Sequence, residues 1–284
     1  MSKIRKLGLG IVAFEGCEHL KNIISTIKDS VDYVVISLQE KSYHGISIDP
    51  KDFEEAIMCY ASGLIDDIIW YYPDLSYLDR DFDPQEPRYL ELEKRNQLLD
   101  YLESKGCSHA AILDGDEFFV KEEFDYAKNV IDNNDDIHIT YCPYISYYKD
   151  YEHIIKRDDY PYQPFISEIK YRFKFAATFC YAADYTRRYD SEDTIPYVFM
   201  HNEILSHNLS WIRNKVENKV DSWSSKSHYN DADNIREKCI NDHDSYDGGD
   251  KATVYTRMPN FEAIIEELKE QIIFPKYDLD EKIY

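Results

Sequence analysis

Hydrophobic positions switch between two periods along the first 120 residues. Leu7–Ala13 is an apolar run interrupted only by glycine, as in a strand buried on both faces. Leu20, Ile23, Ile24 and Ile27 then fall at i, i+3, i+4 and i+7, the stripe of an amphipathic helix. The β-branched run Tyr33–Leu38 predicts a second strand. Phe53, Ala56, Ile57, Tyr60, Ala61 and Leu64 repeat the helical stripe, and residues 68–71 form a third strand stopped by Pro73. Residues 89–103 predict a third helix and 110–113 a fourth strand. This βαβαβαβ order implies an α/β fold: a mostly parallel central sheet, right-handed crossovers and flanking helices. Ligands bind such sheets at the carboxyl ends of the strands. Phe14, Glu15, Gln39 and Asp114 all fall there and are expected to share one site.

Beyond residue 137 the pattern changes. Residues 137–148 and 168–181 read as strands rich in Tyr and Phe, with Pro161 and Pro164 in the loops. Leu209, Ile212, Val216, Val220 and Trp223 predict a helix. Residues 229–250 are polar, acidic and contain Gly248 and Gly249, so a mobile loop that orders over a bound ligand is expected there. Phe261, Ile264, Ile265, Leu268 and Ile272 mark a final helix. With no repeat and no clean linker, the reading is one domain over residues 1–284, with a core near 4–226 and a C-terminal loop and helix over 227–284.

Composition narrows the function. Apolar residues make up 43% of the chain, enough to bury a core and to exclude disorder. Lys and Arg total 33 against 55 Asp and Glu, a net charge of −22, which repels phosphate backbones and anionic lipid. Nucleic acid is therefore a poor first partner. The 26 Tyr offer an apolar face with a hydroxyl, which suits sugar rings in a wet cleft and equally suits rim packing. There is no apolar run long enough for a membrane span, and the stretch after the basic start is too short and interrupted for a signal peptide. The six Cys are scattered singly without zinc spacing, so reduced thiols in a cytoplasmic protein are expected.

The chemistry concentrates in Leu113-Asp114-Gly115-Asp116-Glu117-Phe118-Phe119. An apolar strand delivers three carboxylates into a turn, and crowded like charges need a cation or hydrogen bonds to compensate. Carboxylate oxygens are hard ligands suited to Mg²⁺ or Mn²⁺. Gly115 would relax the turn and let the backbone approach a ligand. The same residues also suit an acidic turn capping a following helix. Upstream, Asn96 falls on the Tyr89, Leu92, Leu99 face of its helix; a buried amide needs partners, which a ligand or the backbone would supply. Downstream, His207 stands ahead of the predicted helix, where a neutral imidazole would complete a metal site with the two Asp, and His201 is a second candidate. Lys215, Lys219 and Lys226 line up on the opposite helix face, as a solvated face or a cationic cluster.

Taken together these segments resemble the GT-A-fold glycosyltransferases, in particular the bacterial and viral members of the family 2-like group. The resemblance rests on Gly10-Ile11-Val12-Ala13-Phe14-Glu15-Gly16, on Arg95-Asn96 leading into the Asp114-Gly115-Asp116 strand end, and on Ser206-His207 through Trp211 and Arg213, with Lys219 and Trp223 following. It covers roughly residues 4–226. It implies a Rossmann-like GT-A fold and a metal-assisted transfer of sugar from a nucleotide-diphosphate-sugar donor, a UDP-sugar above all, with Mn²⁺ or Mg²⁺. By the same resemblance Ala13, Phe14 and Glu15 border the base and ribose, with Gln39 at the next strand end. Arg95 and Asn96 lie near the donor. Asp114 touches ribose or a metal-bound water, Asp116 ligates the metal directly, and His207 completes the coordination. The acceptor is a glycan, a protein or another hydroxyl, with DNA disfavoured by the charge. The Glu-Asp-like base of inverting members has no match at its usual place; Asp184, Asp190, Glu192 and Asp193 are all in range. Inversion or retention therefore stays open.

Two alternatives remain. A nucleotidyltransferase builds a similar sheet and uses carboxylates with Mg²⁺. It would open with a Gly-rich, basic phosphate cradle, whereas residues 7–16 lack that array and carry Glu15. A catalytically inactive nucleotide-sugar-binding module would not need Asp114, Asp116 and His207 intact.

Overall fold

The computed structural model describes residues 3–79, 85–155, 161–175, 184–190, 194–213, 215–222 and 255–257. The strands are β1 (Leu7–Ala13), β2 (Tyr33–Leu38), β3 (Asp67–Trp70), β4 (His109–Asp114), β5 (Glu117–Phe119), β6 (Thr140–Tyr148), β7 (Asp150–Ile155), β8 (Tyr162–Pro164), β9 (Ser167–Glu168), β10 (Tyr197–Val198), β11 (Ser206–Trp211) and β12 (Tyr255–Arg257). The helices are α1 (Leu20–Ile27), α2 (Pro50–Ala61), α3 (Glu86–Ser104), α4 (Lys121–Asp132) and α5 (Val216–Ser222).

The first sheet has the order β3-β2-β1-β4-β9. Its first three pairings are parallel, and only the two-residue β9 runs antiparallel, against β4. This is the mostly parallel sheet expected from the alternating periods. Side-chain alternation along β1 then sends successive residues to two different cores. Leu7, Leu9, Ile11 and Ala13 join α1, α2 and α4 through Leu20, Ile24, Ala56, Phe124 and Ile131. On the other face, Leu98, Leu99 and Leu102 of α3 pack with Val35, Ala110 and Ile112. All four stripe residues of α1 are buried, and each such side chain contributes roughly 1.5–3 kcal/mol relative to exposure.

The glycines of β1 set how close α3 comes. A Cβ on Gly8 would stand 2.6 Å from Leu102 Cδ2, and one on Gly10 would stand 2.6 Å from Ile112 Cδ1 and 3.3 Å from Leu98 Cβ. The helix thus rests almost on the strand backbone, bringing the middle of α3 beneath the end of β1. Helix α2 starts on Asp49, whose carboxylate accepts from Lys51 N at 2.9 Å, with Pro50 in the first turn where its missing N–H costs nothing.

The second sheet has the order β12-β7-β6-β11-β5. Here β11 runs parallel to β6 and antiparallel to β5, pairing Ser206 with Phe119, His207 with Phe118 and Asn208 with Glu117.

Several expectations are corrected. The helix expected from Leu209 onward is strand β11 followed by α5: ladder bonds to β5 and β6 override the apolar spacing of Leu209 and Ile212. Of the strand expected over 168–181, the described residues 168–175 hold only the end of β9, a turn and irregular chain, and 176–181 lie outside the described residues. Helix α4, with Phe124, Ala127 and Ile131 buried, adds an element to the predicted order. The expected loop at 229–250, the final helix from Phe261, and Trp223, Lys226, Glu192 and Asp193 lie outside the described residues. Among the described residues no helix is long and apolar enough to cross a membrane. Cys17, Cys59, Cys107 and Cys142 are buried free thiols.

Candidate functional site

The Asp114-Gly115-Asp116 turn is the junction of the two sheets: β4 ends at Asp114 in the first, and β5 starts at Glu117 in the second. Backbone bonds hold the turn from both sides. Gly115 N donates to Val12 O at 3.1 Å, and Leu209 N donates to Asp116 O at 2.7 Å. A Cβ at Gly115 would make only ordinary contacts, at 3.5 Å from Val12 O, so neither space nor a positive φ requires glycine there.

A cleft of about 200 Å³ opens over this turn at the carboxyl ends of β1, β2 and β4. Phe14, Glu15, Gln39, Asp114 and Asp116 line it together, as their strand-end positions predict. The structure adds Tyr43, Lys94, Arg187 and Arg213, which hydrophobic periods and motif spacing do not place there, and brings in Lys219 from the expected lysine row.

The added cations answer the crowding of the carboxylates. Arg95 Nη2 donates to Asp114 Oδ1 at 2.6 Å, and Arg187 Nη1 stands 3.6 Å from Asp114 Oδ2. Asp116 Oδ2 accepts from Ser210 Oγ at 2.9 Å and from Arg213 Nη2, with Lys219 Nζ 4.0 Å away. Glu117 is fully buried and accepts from both terminal nitrogens of Arg187, at 2.8 Å for Nη2, and from Asp114 N at 3.0 Å. Burial pushes all three carboxyls up in pKa. At Asp114 the Arg95 and Arg187 charges outweigh it, at Asp116 those of Lys219 and Arg213 do, and both fall below their ordinary values. At Glu117 burial wins over Arg187 and the pKa is raised; Glu15 is likewise raised by burial against Arg213.

Lys94 is fully buried in the middle of α3. Its ammonium donates to Ala13 O at 2.8 Å and Gln39 Oε1 at 2.9 Å, tying the ends of β1 and β2 together. Burial pulls its pKa down to about 7. Arg213 lies against Gly16, whose φ of 74° favours glycine and where a Cβ would meet the guanidinium at 3.0 Å.

The other predicted residues take these places. Ala13 serves through its carbonyl. Arg95 sits behind Asp114 rather than on the cleft wall. Asn96 exchanges two 2.9 Å bonds with the backbone N and O of Phe173, so backbone satisfies its amide. Asp184 lines the cleft and caps a short 3₁₀ turn through Thr186 N and Oγ1, both at 2.8 Å. Asp190 pairs with Lys174 at 3.1 Å and does not line the cleft.

His207 lies within β11 rather than ahead of a helix. Its Nδ1 is 2.9 Å from Tyr147 Oη, its ring stacks on Tyr147, and Phe118 meets it edge-on. Asn208 lines the cleft, and strand alternation turns His207 to the opposite face. Burial lowers its pKa to about 3. His201 sits half-buried in a turn. Lys215 pairs with Asp49 at 2.6 Å, whereas Lys219 reaches the cleft.

The donor set suits a hard divalent cation in one form. No group of three His, Cys, Asp or Glu among the described residues is arranged to hold a metal. Asp114 Oδ2 and Asp116 Oδ1, however, carry no hydrogen bond among the described residues, and Mg²⁺-type sites rely on one or two carboxylates completed by water and phosphate oxygens.

No family model matches the sequence, and no curated protein matches it. Among solved structures the fold is similar to the inositol-1-phosphate CTP transferase from T. maritima, with a TM-score of 0.41 and 14% identity over 81% of this chain and 99% of that one. A likeness of that extent carries no statement about the reaction of this chain.

Proposed function

We propose that the chain is a glycosyltransferase whose cleft takes the diphosphate of a nucleotide-sugar donor between the Asp114–Asp116 turn and a ring of cations. The carrying observation is that Arg187, Arg213 and Lys219, from three separate segments, converge on the same two aspartates at the carboxyl end of a parallel sheet. Anion-binding side chains and hard oxygen donors in one cleft are what a diphosphate with a divalent cation requires.

In this reading Asp114 and Asp116 hold Mg²⁺ or Mn²⁺, which when bound neutralises the diphosphate and stabilises it as a leaving group. Arg187, Arg213 and Lys219 bind the phosphate oxygens and hold the departing charge. Arg95 keeps Asp114 ionised and oriented. Asp184 is the one candidate base that lines the cleft among the described residues, so it takes the proton from the acceptor hydroxyl.

Nucleotidyl transfer is the second reading, and one observation favours it. The basic residues missing from the opening strand are supplied from elsewhere in the chain, with Lys94 reaching Ala13 O and Arg213 covering Gly16. Incubation with nucleotide-sugars, and separately with nucleoside triphosphates plus sugar phosphates, decides between the two. Release of nucleoside diphosphate from the former supports glycosyl transfer; release of pyrophosphate from the latter replaces it with nucleotidyl transfer.

A further inference from the structure

Arg213 follows shortly after the end of β11, and the backbone that carries it is pinned from two sides. Ile212 N donates to Leu209 O at 2.9 Å, and His19 Nε2 lies 2.7 Å from Ile212 O. A carbonyl only accepts, so that ring nitrogen carries the proton and donates it. His19 belongs to the 3₁₀ turn Cys17–His19, which starts from Gly16. The segment holding Arg213 is thereby tied to the chain that leaves β1.

The guanidinium is then fixed at two nitrogens and on its flat face. Nε donates to Ser210 O at 2.7 Å, and Nη2 donates to Asp116 Oδ2. A Cβ built on Gly16 would stand 3.0 Å from Nη2, 3.1 Å from Cζ and 3.1 Å from Nη1. Atoms of one plane at nearly equal distances from one point mean that the guanidinium lies flat against the glycine. A side chain at that position would lift the plane as a whole. Nη1 remains without a hydrogen bond among the described residues: Glu15 Oε2 stands 3.5 Å away and is itself buried without a hydrogen-bond partner. The Arg213 side chain is 3% exposed and lines the cleft. A buried charged donor lacking an acceptor costs free energy, and a phosphate oxygen supplies the acceptor in a short, charge-assisted bond.

We propose that Gly16 is a positioning residue for the diphosphate: its bare backbone is the seat that holds the Arg213 guanidinium at the wall of the cleft with Nη1 open to a phosphate oxygen. This rests on the diphosphate reading of the cleft. A guanidinium already held in place loses less freedom on binding than a mobile one. Glycine suits the position for two reasons, its φ of 74° and the seat, and two other glycines separate them. Gly63 and Gly106 have φ of 80° and 82°, yet a Cβ on either meets nothing within 4 Å. They precede β3 and β4, at the end of the sheet opposite the cleft.

Calorimetric titration of UDP, GDP, CDP and ADP, each with Mg²⁺, into the full chain finds the tightest of the four, which is then titrated into the variants. Gly16→Ala should weaken it at least about tenfold, the weight of a hydrogen bond between charged groups. Gly63→Ala and Gly106→Ala carry the same backbone strain and should lower the melting temperature comparably, with affinity unchanged. Arg213→Ala should weaken binding too, and adding Gly16→Ala to it should change affinity by less than about twofold, because the methyl then has no guanidinium to lift. Arg213→Lys keeps the charge without the flat face and should also lose at least about tenfold. Wild-type affinity in Gly16→Ala, or an equal loss from Gly16→Ala with and without Arg213, overturns the proposal while leaving nucleotide binding intact. If none of the four nucleotides binds the wild type, the diphosphate reading itself falls and this proposal with it. Should Gly16→Ala fail to fold, Arg213→Lys decides alone, and wild-type affinity in that variant contradicts a seat shaped for a planar cation.

Discussion

Arg187 grips fully buried Glu117 with both terminal guanidinium nitrogens, and the same guanidinium stands 3.6 Å from Asp114. One residue from a loop thereby compensates the third carboxylate of the turn and adds a cation beside the first. Removing one partner strands a buried charge. Arg187→Met should cost about 3–5 kcal/mol, and Arg187→Lys should recover little of it because a single ammonium does not reproduce the two-pronged grip. The double variant Arg187→Met, Glu117→Leu should regain most of the loss in a denaturant titration. A mild Arg187→Met phenotype with no recovery in the double variant would contradict this pairing.

Lys94 makes stability depend on pH in a defined direction. Its pKa falls from 10.5 to about 7 on folding. Between those values the unfolded chain binds a proton that the folded chain does not, so stability rises with pH through about 7 to 10 and the contribution is constant below 7. Subtracting the stability curve of Lys94→Met from that of the wild type isolates the effect. A flat difference across that window would show that the ammonium is not desolvated as the structure places it.

His207 should behave as a packing residue. His207→Ala removes a ring held between Tyr147 and Phe118 and should cost about 2–4 kcal/mol, with nucleotide and divalent-cation affinity of the folded variant unchanged. The imidazole is neutral in the fold down to about pH 3, while the unfolded chain protonates it below its ordinary value of 6.5. Its contribution is therefore present above that value and is lost as pH falls towards 3. Lost cation affinity at unchanged melting temperature would restore the ligand role implied by the family resemblance.

How much of the site is legible in the sequence differs from residue to residue. The ends of β1, β2 and β4 follow from hydrophobic periods alone, and those periods suffice to gather Phe14, Glu15, Gln39 and Asp114. Lys94 carries a weaker signal: it stands four residues after Leu90 and four before Leu98, on the stripe that continues to Leu102, where a charge is out of place unless partnered. The buried stripe of α4 is equally readable. Arg187 carries none, because it meets Glu117 across 70 residues of chain and nothing in its own surroundings marks it. In β11, pairing with β5 and β6 outweighs the local spacing of Leu209 and Ile212, so a helical reading of that segment misplaces His207 ahead of a helix when it lies within the strand.

Asp184→Asn separates chemistry from binding. Asparagine keeps the Oδ1 that caps Thr186, so the turn should survive. Turnover should fall by about 10²–10⁴ with nucleotide affinity unchanged, as for loss of a general base. Unchanged kcat would place the base on another residue.

Titration of nucleoside diphosphate into the wild type, with Mg²⁺ or Mn²⁺ and with EDTA, and into Asp116→Asn, tests the central claim most directly. The account predicts one site per chain, with an affinity in the range of about 1 μM to 1 mM usual for enzyme substrates. It also predicts weakening of at least about tenfold both in EDTA and in Asp116→Asn, since about 1.4 kcal/mol of phosphate interaction passes through that carboxylate. Absence of binding to any nucleoside diphosphate, or binding indifferent to both EDTA and Asp116→Asn, would contradict it.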